Sequence, residues 1–157
     1  MTENHGIDRE LTRKTLDMLE KYARADGGGD IAGVIVGRNP FVEIAKFTMN
    51  GAMGICSQLC WKKAYTAVMT KHDTKYWADW QQKRGKHLEN FADPNFTFFA
   101  GAILIRDPKT NEILGALGVS GRNGFQEAGD KLKQDHELAQ LGAEYLQHML
   151  KRQKTAH

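Results

Sequence analysis

The chain has 157 residues, enough for one domain that buries most of what its unfolded form exposes. Hydrophobic residues make up 41% and charged residues 26%, as in ordinary globular proteins. The net charge of +3 comes from 22 basic and 19 acidic residues interleaved along the chain, which argues against a nucleic-acid partner.

Asp8 to Ala25 reads as an amphipathic helix. Leu11, Thr15, Met18 or Leu19, and Tyr22 share one face, and Asp17–Lys21 and Glu20–Arg24 are spaced for ion pairs on the other. Gly27-Gly28-Gly29 ends it. Ile31 to Val36 and Phe41 to Phe47 read as two strands around Asn39-Pro40, forming a hairpin. Glycine steps in such strands imply that something packs closely on them. Met49-Asn50-Gly51 breaks the second strand. From Ile55 to Met69 the period turns helical, with Cys56, Leu59, Cys60, Ala64, Ala67 and Val68 as its stripe. Residues 70 to 95 are polar; Tyr76, Trp77 and Trp80 are expected to anchor a short helix, with Asp93-Pro94 at its end. Phe96 to Arg106 and Glu112 to Ser120 read as a second hairpin across Asp107-Pro108-Lys109-Thr110-Asn111. A loop with glycines at 121, 124 and 129 follows. Asp130 is the expected N-cap of a final helix to about Lys151, with a buried stripe of Leu138, Leu141, Gly142, Tyr145 and Met149. The order α-β-β-α-(α)-β-β-α gives an α+β fold: an antiparallel sheet of four to five strands flanked by helices, layered as in profilin and roadblock proteins.

Met1 to Arg9 lacks the apolar core of a signal peptide. The longest apolar run, Phe96 to Ile105, is about half of the ~20 residues that a membrane helix needs. Cys56 and Cys60 fall within one helix and read as free thiols. The expectation is a single cytoplasmic domain with no membrane or nucleic-acid partner.

The most informative stretch is Gly115-Ala116-Leu117-Gly118-Val119-Ser120-Gly121, with Gln134-Asp135-His136-Glu137-Leu138-Ala139 downstream. A strand end meeting a helix N-terminus across a glycine loop offers free backbone donors and a favourable dipole for a small ligand. Together with Leu11-Thr12, Met49-Asn50-Gly51-Ala52, Lys63-Ala64-Tyr65-Thr66-Ala67 and Gly142, these pieces resemble the GlcG/HbpS-type family. That family includes the C-terminal domain of PduO-type cobalamin adenosyltransferases. The resemblance implies a compact α+β domain, homo-oligomeric assembly, and a link to haem, to corrinoid-associated proteins or to small-molecule catabolism. Four features depart from the family pattern. Asn50 stands where an acid is usual, Ala100 to Ile103 where Gly-Gly and Pro are common, and His136 where Glu is frequent; segment 70–95 is longer and more aromatic.

His136 is the residue singled out. A helix N-terminus disfavours its imidazolium, and a neutral ring suits haem-iron ligation or general-base work. The plainer reading is a surface histidine. His72 and His87 lie in the irregular segment and can also reach a pocket. Asp135 and Glu137 flank His136, and successive helical residues point about 100° apart, so at most two of the three share a pocket. Lys63 and Tyr65 offer a cation and a phenol to a carboxylate; the plainer alternatives are a solvated lysine and a half-buried tyrosine. Arg122 follows the Ser120-Gly121 turn and is placed for anion binding, with Asn50 near the same site. Cys56 and Cys60 read as small core residues, since no second Cys or His pair completes a metal site. Ser120 lacks a nucleophile elbow, and no phosphate-binding glycine fingerprint is present.

Two functions follow. In the first, a homo-oligomer holds haem or a related planar ligand between the Gly115 to Gly121 strand end and the last helix, with His136 as the iron donor. In the second, the protein is a cofactor-independent isomerase, lyase or hydratase for an oxygenated organic acid. His136 or Asp135 then moves a proton, Lys63 and Arg122 hold the carboxylate, and Ser120 with nearby backbone N–H groups stabilises an enolate-like intermediate.

Overall fold

A computed structural model describes residues 6–85, 92–122 and 133–155. Along the chain run α1 (Arg9–Ala25), β1 (Ala32–Gly37), β2 (Glu43–Thr48), α2 (Gly54–Thr70), α3 (Thr74–Arg84), β3 (Ala102–Arg106), β4 (Ile113–Ser120) and α4 (Asp135–Thr155). The four strands form one antiparallel sheet in the order β2-β1-β4-β3. Two hairpins thus join through their inner strands, in a register running from Ala32 opposite Ser120 to Gly37 opposite Gly115. The expected α+β class, element order and layering are all present.

Both inner strands are buried on both faces, which is why their sequences are continuously apolar rather than alternating. On one face α1 and α4 cover Ile35, Leu117 and Val119 with Leu11, Leu19, Leu138 and Leu146. On the other, α2 lays Cys56, Cys60, Ala64 and Ala67 over Ala32, Val34, Ala102 and Ala116. Small residues face small residues there, so backbones approach closely. A Cβ added at Gly118 would collide with the Cys60 carbonyl.

Local chemistry sets the helix ends. Asp8 caps α1, its carboxylate accepting the Glu10 N–H at 3.1 Å, and Gly27 at φ +70° follows its last turn. Glu20 and Arg24 pair at 3.6 Å on the outer face. The buried stripe ends on Ala23 rather than Tyr22, which is exposed, and includes Leu19 rather than Met18. Helix α3 stops at Gly85, left-handed at φ +62°, well before Asp93-Pro94. The third strand starts at Ala102, not Phe96: Gly101, at φ +140°, turns the chain out of line. Phe96 and Phe98 instead pack on Tyr65 and Trp77, ring centroids 5.3 Å and 5.4 Å apart.

The outer edge of β3 is closed by the start of α3. The Ala102 N–H donates to Thr74 Oγ1 at 2.9 Å and the Leu104 N–H to Asp73 Oδ1 at 2.8 Å. On α4 the buried set is Leu138, Ala139, Ala143, Leu146 and Leu150. Of the expected stripe Leu138 and Gly142 are buried, while Leu141, Tyr145 and Met149 are half-buried, with Tyr145 and Met149 packed against the margin of the core. The expected cap Asp130, and Gly124 and Gly129, lie outside the described residues. Among those residues no helix is long and apolar enough to cross a membrane.

Candidate functional site

The junction of the Ser120 turn with the start of α4 holds a buried charge network. Lys63, 1% exposed, reaches from α2 to the end of the sheet. Its Nζ donates to the Val119 carbonyl at 2.9 Å and to Asp135 Oδ2 at 3.0 Å. Asp135, 0% exposed, also accepts the Arg122 backbone N–H on Oδ1 at 3.0 Å. A buried lysine persists as a cation only with such partners.

The Arg122 side chain is equally committed to protein. Its Nε donates to the Gly29 carbonyl at 2.9 Å, Nη2 to the Ala23 carbonyl at 2.9 Å, and Nη1 to the Lys133 carbonyl at 3.2 Å and to the Asp26 carboxylate. Gly28 admits the guanidinium, since a Cβ there would lie 2.6 Å from its central carbon. Burial pushes the Asp26 carboxyl up, but its bonds to Arg122 and the Gly28 N–H outweigh this and hold it below the usual value. Lys63 and Asp135 therefore do converge as the sequence suggests, yet they face each other, while Arg122 gives Asp135 only its backbone N–H and turns its guanidinium to the end of α1 and the approach to β1. They pack the space in which the ligand is expected.

The groove that opens lies one helix face away. Asp135 points inward, so its neighbour His136 turns toward β3 and α3, and Glu137 is exposed. A hollow of about 600 Å³ there is lined by Lys71, His72, Asp73, Tyr76, Arg106 and His136, among others. A second of about 380 Å³ shares Asp73, Ile103 and His136 and extends along α4 to Gln140 and Glu144. His136 Nδ1 is buried and has no hydrogen-bond partner among the described residues. Burial, and next the Lys75 ammonium, push the imidazole below its usual value, against opposing pulls from Asp73, Glu137 and Asp79. The ring is consequently neutral at pH 7.

The other candidates stand apart from this groove. The Tyr65 hydroxyl donates to Asp93 Oδ2 at 2.8 Å; that bond, with burial, raises its pKa. Its ring lies among Phe41, Trp61 and Phe96. Ser120 is buried at the strand end, Gly121 adopts φ +140°, and Asn50 is an exposed turn residue. Cys56 and Cys60 are buried and unbridged, and burial pushes the Cys60 thiol up to about 12. Among the described residues no three His, Cys, Asp or Glu side chains form a metal-holding group.

Of the two secondary histidines, His72 does line the groove, while His87 lies outside the described residues. Asp73, Arg106 and Lys75 were not singled out by sequence reasoning. The only local signal was Asp73-Thr74, a helix-capping pair, and it says nothing of a groove.

Residues 7–144 match the family model described as haem degrading protein HbpS-like. No curated protein sequence matches the chain. The fold is similar to that of PduOC, solved as a haem complex: TM-score 0.71, 22% identity, covering 89% of this chain and 94% of that one. It is similar to protein ORFY of Klebsiella pneumoniae (0.73, 20%, covering 93% and 94%). A double mutant of HbpS from Streptomyces reticuli is a further match (0.71, 22%, covering 92% and 89%).

Proposed function

Because this chain belongs to the HbpS-like family of haem-degrading proteins, we propose that it binds haem or a related planar ring in the groove between α3, β3 and α4, with His136 as the axial donor. The observation that carries the reading is the His136 Nδ1 atom, buried and without a hydrogen-bond partner among the described residues. Buried polar atoms are nearly always satisfied, so an orphaned one on a neutral imidazole marks a place for a ligand.

The surrounding residues fit such a group. Ile103 and Leu104 offer apolar surface, and Lys71 and Arg106 offer cations for carboxylates. Lys63 and Asp135 act as positioning residues: their bond fixes the first turn of α4 and thereby the direction of His136. Bound haem would supply iron chemistry whose course depends on the axial ligand and the polarity around it. The rival reading, a cofactor-independent enzyme, needs Lys63 and Arg122 to grip a substrate carboxylate. Both are buried and bonded to protein acceptors, so the observations favour the haem reading.

Hemin titrated into haem-free protein, followed by absorbance, tests this. The expected result is a saturable one-to-one Soret shift that His136→Ala loses while keeping its far-UV circular dichroism. Absence of saturable binding would overturn the function. A shift that survives in the variant would overturn the assignment of His136.

A further inference from the structure

Next to His136 the groove carries a flat aromatic platform. His72 and Tyr76 stack with ring centroids 4.0 Å apart and planes 8° from parallel. Trp77 meets both rings edge-on, at 5.9 Å and 5.1 Å. Trp77 is itself fixed, donating Nε1–H to Thr70 Oγ1 at 2.9 Å and packing on Phe98. The stack is therefore built by the protein and stands ready without a ligand.

Tyr76 nevertheless remains 47% exposed, and both stacked rings line the groove. An aromatic ring with one face covered and much of its surface open favours a further ring laid against it. The charges beside it are unevenly committed. Lys75 pairs with Asp79 at 2.7 Å, and Asp73 Oδ1 is taken by the Leu104 N–H. Arg106 donates one nitrogen, Nη1, to the Asn111 carbonyl at 3.1 Å, and Lys71 is exposed at the end of α2. The groove thus offers π surface, apolar strand residues and two cations within one wall.

We propose that the His72–Tyr76 platform binds the face of a flat conjugated macrocycle bearing carboxylates, with Tyr76 as the residue that selects for it. The ligand class is then porphyrin-type polycarboxylic rings, with or without a metal. This rests on the reading of the groove as a haem site and deepens it: stacking and carboxylate pairing carry the affinity, and the bond from His136 adds identity and spectrum. A groove that depended on the iron bond would ignore the metal-free ring.

The probe is metal-free protoporphyrin IX, followed by its fluorescence on titration with the full chain. Wild-type protein is expected to bind it saturably, and Tyr76→Ala to bind it about five- to tenfold more weakly. Tyr76→Phe keeps the ring and is expected to restore binding. With hemin, Tyr76→Ala is expected to show the same loss of affinity with an unmoved Soret maximum, a split that general unfolding would not produce. If hemin binds and protoporphyrin does not, the inference fails and the haem reading stands. If neither binds, both fail. Equal protoporphyrin affinity in wild type and Tyr76→Ala would remove the platform from recognition.

Discussion

Lys63 and Asp135 meet at 3.0 Å with almost no solvent contact, and each alone would be an uncompensated buried charge. Replacing one partner is therefore worse than replacing both. Lys63→Met should destabilise the protein by roughly 3–5 kcal/mol, and Lys63→Met with Asp135→Leu should recover part of that loss. Urea denaturation of the two variants checks it; a double variant no more stable than the single one would contradict the pairing. One residue along, the His136 imidazole is held below its usual value first by burial and then by Lys75. Iron ligation needs the neutral ring, so a depressed pKa keeps the donor competent to lower pH. Hemin affinity measured from pH 8 downward should hold through the ordinary histidine value of 6.5 and fall only below it. The exposed Lys75→Gln variant should shorten that plateau, since it removes the second-largest cause of the depression and lets the imidazole protonate at higher pH.

At the scale of elements, the approach of α2 to the sheet is set by Gly118, where a Cβ would strike the Cys60 carbonyl and crowd Ala64. Gly118→Ala should cost at least the 1–3 kcal/mol typical of overpacking, read as a lowered Tm, because backbone rather than a mobile side chain must give way. Such features explain what the sequence could reveal. The apolar runs of β1 and β4, the Asp8 cap and the Asn39-Pro40 turn are local signals, and they define their elements to within a residue or two. Where a long-range contact decided the outcome, local signals failed. Gly101 reads as part of a strand, but its positive φ shortens β3. Lys63 reads as a cation for a ligand carboxylate or as a solvated side chain, because the local sequence records its charge and not the Asp135 that meets it from 72 positions away. The site divides the same way. His136 was legible from its place at a helix start. Asp73, Tyr76 and Arg106 were not, since long-range side-chain bonds closing the β3 edge bring α3 against that strand.

Across the whole molecule, Arg122 ties the end of α1, the approach to β1 and the start of α4 into one knot, so the first and last helices share an anchor. That knot and the groove predict two separate steps of acid sensitivity. For His136 the folded pKa is depressed, so between it and the ordinary value of 6.5 the unfolded chain binds more protons. Stability therefore falls as pH drops through 6.5 and stops falling below the folded value. Asp26 also has a depressed folded pKa, held down by Arg122 and the Gly28 N–H against its burial. Its contribution is complete above the ordinary value of 3.8 and is lost as pH falls through the folded value. Chemical denaturation from pH 8 to pH 3 should show a decline beginning near 6.5, an interval of weaker dependence, and a second decline below about 4 to which other carboxylates also contribute. His136→Gln should flatten the first decline alone. Asp26→Asn should lower stability at neutral pH and make the second shallower, and a variant that left the acid limb unchanged would show that the Arg122 knot does not govern it.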